Sequence, residues 1–344
     1  MMTTGDFSKG FKDVSRRPGE HVPVLSEGVV KGLRVQAGGV YVDATLGMGG
    51  HTELLLEKSI PDGTVVAIDR DPFAVSRAER VFAAYGERLR LYNNCFSGLS
   101  DVLDDAGFEK GDVWGIVADL GLSSNQLDDE ERGFSFASNG ELDMRMDPSS
   151  EITALDLIQN LSFEELGDIF KKLGEEPQGK RYARAIKRAL AEQGSSDTLL
   201  SEERAMSPAE LAGVIERAAG GKMCALSRRH PATRVFMALR MKVNRELDEL
   251  AVFLEEAPWW LSKGGRLAVI SFHSLEDRMV KRRFRALAEP ERLVPPDLPL
   301  KSNEVPKAHF KLINRKPWVA DEEEKKENPR SRSARLRVLE RSGE

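Results

Sequence analysis

Cysteine is almost absent: the 344 residues contain only Cys95 and Cys224, far apart and with no C-x-x-C spacing. That argues against a disulfide scaffold and a zinc site, and it fits a reducing compartment. No metal site is expected. No apolar run approaches the ~18 residues a membrane-spanning helix requires, so no membrane association is expected. Residues Met1 to Glu20 are polar and lack the apolar stretch of a signal peptide, which predicts a cytoplasmic protein whose residues 1–20 are disordered. Internal repeats are absent too. What remains, with 40% apolar and 31% charged residues, has the composition of a globular chain long enough for one large domain or two ordinary ones.

The net charge of −5 argues at first against a nucleic-acid partner, but the charges are segregated. Residues 100–151 carry 14 acids and 3 bases, whereas residues 178–245 carry 14 bases and 6 acids. The stretch Asp277–Arg285 adds Arg278, Lys281, Arg282, Arg283 and Arg285. A segregated basic surface, rather than the mean charge, is what a polyanion meets; solvated helix faces are the alternative reading of such runs.

The apolar pattern begins as alternating strands and helices. Strands are predicted at Val40–Thr45, Val65–Asp69, Arg88–Tyr92 and Gly115–Leu120. A helix follows Asp71-Pro72, with proline at its first turn, and another is capped by Ser97. This alternation predicts an α/β fold with a parallel sheet covered on both faces. It then stops. From about Leu127 to Arg229 the segments are helical, at Ser162–Leu173, Gly179–Gln193 and Ser207–Ala219, with capping boxes at Ser162–Glu165 and Ser207–Glu210. A long helix from Pro231 to Glu256, a strand at Gly264–Phe272, a basic helix at Ser274–Ala288, a surface loop over 289–332 and a final strand at Ser333–Leu339 complete the chain. The expected organisation is a Rossmann-like sheet domain, 21–127 and 230–344, interrupted by an inserted all-helical substrate-recognition domain, 128–229.

The most informative run is Val40 to His51, a strand entering the turn Gly47-Met48-Gly49-Gly50, with a second strand ending on Asp69 about 20 residues later. Glycines let backbone approach a ligand, and the second-strand acid can hold a ribose diol. A dehydrogenase fingerprint would place a third glycine where Thr52 stands. Asp43, at the end of the first strand, sits poorly beside a pyrophosphate but suits an ammonium group. S-adenosylmethionine, which has no phosphate and ends in an amino acid, is the cofactor these residues predict.

Seven motifs then resemble one family. They are Gly47-x-Gly49-Gly50-His51, Ala67–Asp71, Asp119-Leu120-Gly121-Leu122-Ser123-Ser124-x-Gln126-Leu127-Asp128, Arg132–Phe136, Leu142–Asp147, His230–Arg234 and Ser271–Arg278. Over roughly 21–340, and in the same order, they closely resemble the bacterial RsmH/MraW family. Asn125 stands where that family commonly has proline, and Met237 where it often has glutamine. The resemblance implies an S-adenosylmethionine-dependent enzyme that methylates the 4-amino group of a cytidine in small-subunit (16S) ribosomal RNA. It implies cofactor contacts at Gly49, Gly50, His51, Asp69, Phe96, Asp119 and Gln126, and ribosomal RNA or the 30S particle as partner. The sequence leaves the oligomeric state open.

A cytosine amine is a poor nucleophile because its lone pair is delocalised into the ring. Amino methyltransferases often grip it with an Asp/Asn-Pro-Pro-aromatic turn, and here that place reads Asp119-Leu120-Gly121-Leu122. Asp119, Ser123 and His273 are therefore the catalytic candidates, Asp119 serving as a cofactor contact or an amine acceptor. His273 could grip the base or cap the next helix. Phe96 is expected to stack on adenine. His230 and Arg234, at a helix start, could meet a phosphate, and the basic segment 178–245 and the Asp277–Arg285 helix, with Lys281, Arg282 and Arg283, are expected to clamp RNA. The Leu142–Asp147 segment is expected to tie the insertion to the sheet. A nicotinamide dehydrogenase, a DNA amino methyltransferase and a non-catalytic RNA-binding assembly factor are the rival readings.

Overall fold

A computed structural model describes residues 23–194, 206–220, 230–293 and 307–343. Cys224 and residues 1–20 lie outside them. Seven strands form one sheet in the order β3-β2-β1-β4-β5-β7-β6. They are β1 (Val40–Asp43), β2 (Thr64–Asp69), β3 (Leu89–Asn93), β4 (Val113–Asp119), β5 (Leu261–Ser271), β6 (Phe310–Leu312) and β7 (Arg335–Arg341). The first five are parallel, and β7 runs antiparallel to both β5 and β6. The central strands are continuous apolar runs because helices cover both faces: Val65 to Ile68, Ile116 to Ala118 and Leu267 to Ile270 are all fully buried. The protein is thus a Rossmann-like α/β fold. Its strand order reverses between β1 and β4, and that crevice is where open sheets of this type bind ligands.

The helices flanking the first half of the sheet are α1 (Ser26–Leu33), α2 (Gly50–Lys58), α3 (Pro72–Val81) and α4 (Leu99–Asp105). Asp71 caps α3 by accepting from Phe73 N at 3.1 Å. Ser97 does not cap α4. A short 3-10 turn, Phe96–Gly98, intervenes, Gly98 takes the cap position, and the Ser97 hydroxyl donates to Glu249 instead.

Between β4 and β5 no described residue is in a strand. This stretch holds α5 (Ser124–Asp128), α6 (Ala154–Asn160), α7 (Phe163–Lys172), α8 (Gly179–Gly194), α9 (Pro208–Ala219), α10 (Thr233–Val243) and α11 (Glu246–Trp260). Both serine capping boxes form, at Ser162 and Ser207. The expected helix from Pro231 to Glu256 is two helices, because Asn244 closes α10 and Arg245 enters the left-handed region at φ 50°. Val235, Phe236, Ala238 and Leu239 of α10 share an apolar cluster with Phe170, Tyr182, Ile186, Leu211 and Ile215. By packing, the helical unit therefore continues to Asn244, beyond the boundary at residue 229 that composition suggests.

The described part of 289–332 is more than a surface loop. Phe310–Leu312 is a short edge strand and Glu322–Glu327 is helix α13. A three-residue strand gives no periodicity, and its pairing with β7 is non-local.

Helix α12 (Ser274–Ala288) is fixed to the sheet by charge. Asp277 accepts from Arg337 Nε at 2.7 Å and Nη2 at 3.2 Å, and from Arg335 Nη1 at 3.2 Å. The Arg337 and Asp277 side chains are only 8% and 12% exposed. Removing one partner of a buried pair strands the other charge, at a cost of about 3–5 kcal/mol. We therefore expect Asp277→Ala to lower the urea midpoint markedly. An unchanged midpoint would show that the pair adds nothing to stability.

Candidate active site at the sheet switch point

The carboxyl ends of β1, β2 and β4 converge on three acids, Asp43, Asp69 and Asp119. The turn after β1 lies between them. Gly49 has φ 85°, and a Cβ there would sit 2.3 Å from the Phe82 ring. Gly50, which opens α2, has Pro23 against it, 3.1 Å from where its Cβ would be. These two glycines are required by the loop's own packing as well as by any ligand.

Asp69 holds this loop in shape. Its Oδ2 accepts from Gly47 N at 2.7 Å and its Oδ1 from Asp71 N at 2.9 Å. A carboxylate offers about four lone-pair sites, so two remain for a ribose diol. Burial pushes its pKa up to about 6, against the lowering effect of the two backbone donors.

Asp43 is fully buried, with Thr52 Oγ1 donating to Oδ2 at 2.7 Å and Thr45 N to Oδ1 at 3.2 Å. It is sealed under the loop rather than open to an ammonium group, a correction to the sequence reading. Burial raises its pKa, partly offset by His51. The open acid is Asp119, with its side chain 24% exposed. Its backbone N donates to Thr45 Oγ1 at 2.7 Å, while its buried Oδ1 has no hydrogen-bond partner among the described residues.

His51 faces it. The imidazole is 5% exposed, Nε2 lies 3.6 Å from Asp119 Oδ2, and neither ring nitrogen is hydrogen-bonded among the described residues. Burial alone would lower its pKa, but Asp119, then Asp43 and Glu324, more than offset this and raise it. Three orphaned polar atoms around one crevice are costly unless a polar ligand completes them. The donor and acceptor set fits the amino-acid end of S-adenosylmethionine.

The other expected residues are placed less uniformly. Gln126 is buried and reciprocally caps α5 with Ser123, while its Nε2 donates to Asp71 Oδ2 at 2.9 Å. It shapes the pocket wall through Asp71. The Ser123 hydroxyl accepts from Gln126 N at 3.3 Å, leaving its proton to donate. Phe96 stands edge-on to Phe253, ring centroids 5.4 Å apart, and packs against the sheet core while only partly buried.

His273 is the N-cap of α12: Nδ1 accepts from Glu276 N at 3.4 Å, and Nε2 lies 2.9 Å from Glu276 Oε1. Glu246, His273 and Glu276 could in principle share a cation. Glu246, however, already takes Arg240 Nε and Nη2, each at 2.8 Å, and Glu276 Oε2 accepts from Phe272 N. Arg240 supplies the balancing charge that a metal would have to displace.

Several expected RNA contacts are engaged internally. His230 Nε2 lies 2.7 Å from Glu216, and its ring stacks on Phe136. Arg234 is 3.7 Å from Glu176. Arg283 bridges Glu255 at 2.5 Å and donates to Leu254 O. Lys281 and Arg282 have no acid partner among the described residues.

Two features went unassigned in the sequence. Arg132 donates to Asp71 at 3.1 Å and to the carbonyls of Arg145 and Met146 at 3.0 and 2.8 Å. It ties the Leu142–Asp147 segment to the cofactor loop. Its place in a glycine-aromatic motif was the available signal. Glu324, from α13, accepts from Leu25 N at 2.7 Å and adds charge near His51. No local pattern could have revealed a partner 299 residues away in sequence.

If Asp69 holds the cofactor ribose, protonating it removes one acceptor. S-adenosylmethionine affinity is therefore expected to be flat above about pH 6 and to fall below it, by up to tenfold per pH unit for one proton. Asp69→Ala is expected to weaken binding by about 1–3 kcal/mol at neutral pH, the loss of a charged acceptor. Calorimetry from pH 5 to 8 reads both effects, and unchanged affinity in the variant would remove the ribose assignment.

The comparisons with known proteins agree with this geometry. Residues 19–342 match the MraW methylase family. The chain is 44% identical over 322 residues to Ribosomal RNA small subunit methyltransferase H of Dehalococcoides mccartyi, covering 93% of this chain and 86% of that one. It is 43% identical over 323 residues to the protein of the same name from Cyanothece sp., covering 93% and 94%. For the Syntrophotalea carbinolica protein of that name the identity is 44% over 329 residues, covering 95% and 100%. Because the match runs through the sheet and the helical insertion alike, this chain belongs to the MraW methylase family.

Proposed function

We propose that this enzyme transfers the methyl group of S-adenosylmethionine to the 4-amino group of a cytosine in small-subunit (16S) ribosomal RNA. The observation that carries this reading is the crevice of unpartnered polar atoms on His51 and Asp119, in a chain matched almost end to end by relatives named for small-subunit ribosomal RNA methylation. When bound, the cofactor supplies a methyl group already activated on a positively charged sulfur. The protein's remaining task is to place the amine in line and close to it, which is worth several kcal/mol of barrier.

Asp69 holds the ribose, and Gly49 and Gly50 let the backbone approach the cofactor. Asp119 Oδ1, the open acceptor, takes the cofactor's ammonium end, a role the sealed Asp43 cannot fill. Ser123, on the loop after β4 and beside Gly47, has a proton to donate to the base. His273 acts by fixing the start of α12, since both its nitrogens face Glu276. Phe96 lines the pocket from the β3 side. The helical insertion holds the RNA.

The target amine lies on the Watson–Crick edge of cytosine, so the base must be unpaired or flipped to be reached. No sequence-reading RNA module is recognisable among the described residues; basic helices, which grip backbone and shape, stand in its place. A folded subunit or 30S assembly particle is therefore the better substrate. Initial methylation rates at equal target and salt concentration are expected to be higher on the particle than on a short oligonucleotide of the same sequence, with mass spectrometry of the nucleosides identifying methylated cytidine. Equal or faster turnover on the oligonucleotide would show that local sequence suffices, and absence of methylated cytidine from both would refute the assigned reaction.

A further inference from the structure

Several arginines of the helical insertion and of α12 are neutralised within the protein. Arg278 pairs with Glu175, Arg283 with Glu255, Arg234 with Glu176 and Arg240 with Glu246. Helix α8 differs. Lys180, Arg181, Arg184 and Arg188 are exposed, and none has a carboxylate partner among the described residues. At 100° per residue these four fall within about 100° of arc. Tyr182, Ala183 and Ile186 lie on the opposite side, buried in the apolar cluster. The helix's first acid, Glu192, comes a turn beyond Arg188.

Two of these side chains are held in place. The Arg184 guanidinium lies over the Phe163 ring, 4.9 Å from its centroid, and Arg181 Nη1 donates to Gln178 Oε1 at 3.1 Å. A planar guanidinium stacked on one face keeps its N–H edge for an anion and loses less entropy on binding one.

A chain of contacts links the start of the stripe to the carboxyl end of β4. The turn before α8 is anchored through Glu175, which accepts from the Ser274 hydroxyl and from Arg278 Nη2 at 3.2 Å. Ser274 opens α12 just after β5, whose Ile270 is paired with Asp119. Lys180 to Arg188 then spans about 12 Å along the helix axis. A stacked strand carries one charge per about 3.4 Å, so this length matches three or four phosphates.

We propose that the exposed face of α8 is a rail for the backbone of the RNA strand flanking the target base, leading that strand to the crevice between β1 and β4. The proposal rests on the RNA substrate reading above, and it narrows to one face of α8 the gripping role that sequence spread over residues 178–245, His230 and Arg234 included, and over Lys281, Arg282 and Arg283. The rail reads charge and spacing but no base identity, so its contribution is to affinity and orientation.

The test uses the full chain carrying Lys180→Gln, Arg181→Gln and Arg188→Gln, leaving the stacked Arg184 in place. A labelled single-stranded fragment of small-subunit ribosomal RNA is titrated from 50 to 200 mM salt. At about 0.7 per phosphate contact on a single strand, the log-log salt slope is expected to fall by about 2, and affinity at 50 mM salt by at least tenfold. KM for the RNA rises while kcat, S-adenosylmethionine affinity and melting temperature stay at wild-type values. Charge-keeping Arg181→Lys with Arg188→Lys restores the slope. A control with Lys58→Gln, Arg80→Gln and Lys110→Gln, equal in charge loss and remote from α8, keeps it. A wild-type slope in the rail variant, or equal loss in the control, overturns the proposal. Failure of the wild-type enzyme to methylate cytidine would instead overturn the assigned reaction while leaving the slope difference to stand or fall by itself.

Discussion

The Asp71 carboxylate is the constraint on which the rest of the site depends. It lies two residues beyond the end of β2, is 3% exposed, and accepts from three directions. Phe73 N makes it the cap of α3, Gln126 Nε2 brings the loop after β4, and Arg132 brings the entrance of the helical insertion. Its own backbone N donates to Asp69 Oδ1, so the same residue orients the acid that shapes the glycine turn. A buried carboxylate is tolerable because every side of it meets a donor. Those donors come from three separate parts of the chain and define the walls of one pocket.

The far end of that network is Asn244. Its side chain accepts from Met146 N at 2.7 Å and donates to Met144 O at 2.8 Å, joining the point where the chain leaves the sheet to the point where it returns. Arg70 Nη1 donates to Asn244 O at 2.9 Å, closing the circuit to β2. The insertion is thus held at its root by buried hydrogen bonds, while its helices beyond α6 pack chiefly on one another. This arrangement gives a rigid base beside the cofactor loop, suited to holding a large substrate over a small reacting centre.

The charge pattern follows the same division. At the crevice, Asp43 and Asp119 lie beside His51 and raise its pKa, while backbone donors offset part of the cost of burying Asp43 and Asp69. Around α12 and α10, arginines serve to hold elements together. Unpaired positive charge is left on the outer face of α8 and at Lys281 and Arg282 of α12. A net negative chain can therefore present a positive surface to a polyanion, because segregation and not the sum sets the local field.

The alternating strands and helices, the glycine turn, the two strand-end acids and the serine capping boxes were all legible in the sequence. Each rests on local periodicity, backbone sterics or a side chain reaching three residues along its own helix. The motifs were enough to place the chain with its family and to predict the cofactor. What local pattern left undetermined is what needs two distant segments. Asp43 reads as a ligand for an ammonium until Thr52 and Thr45 are seen to occupy it, and Asp119 is then the acid left open. Arg283 and His230 read as free bases until Glu255 and Glu216 meet them. The break at Asn244 is set by its bonds to Met144 and Met146, about 100 residues earlier. Sequence alone determined which chemistry the chain carries, because residue type and short spacing suffice for that. Tertiary structure decided which of those groups are spent on folding and which remain for ligand and RNA, because a charge is neutralised by whatever lies beside it in space.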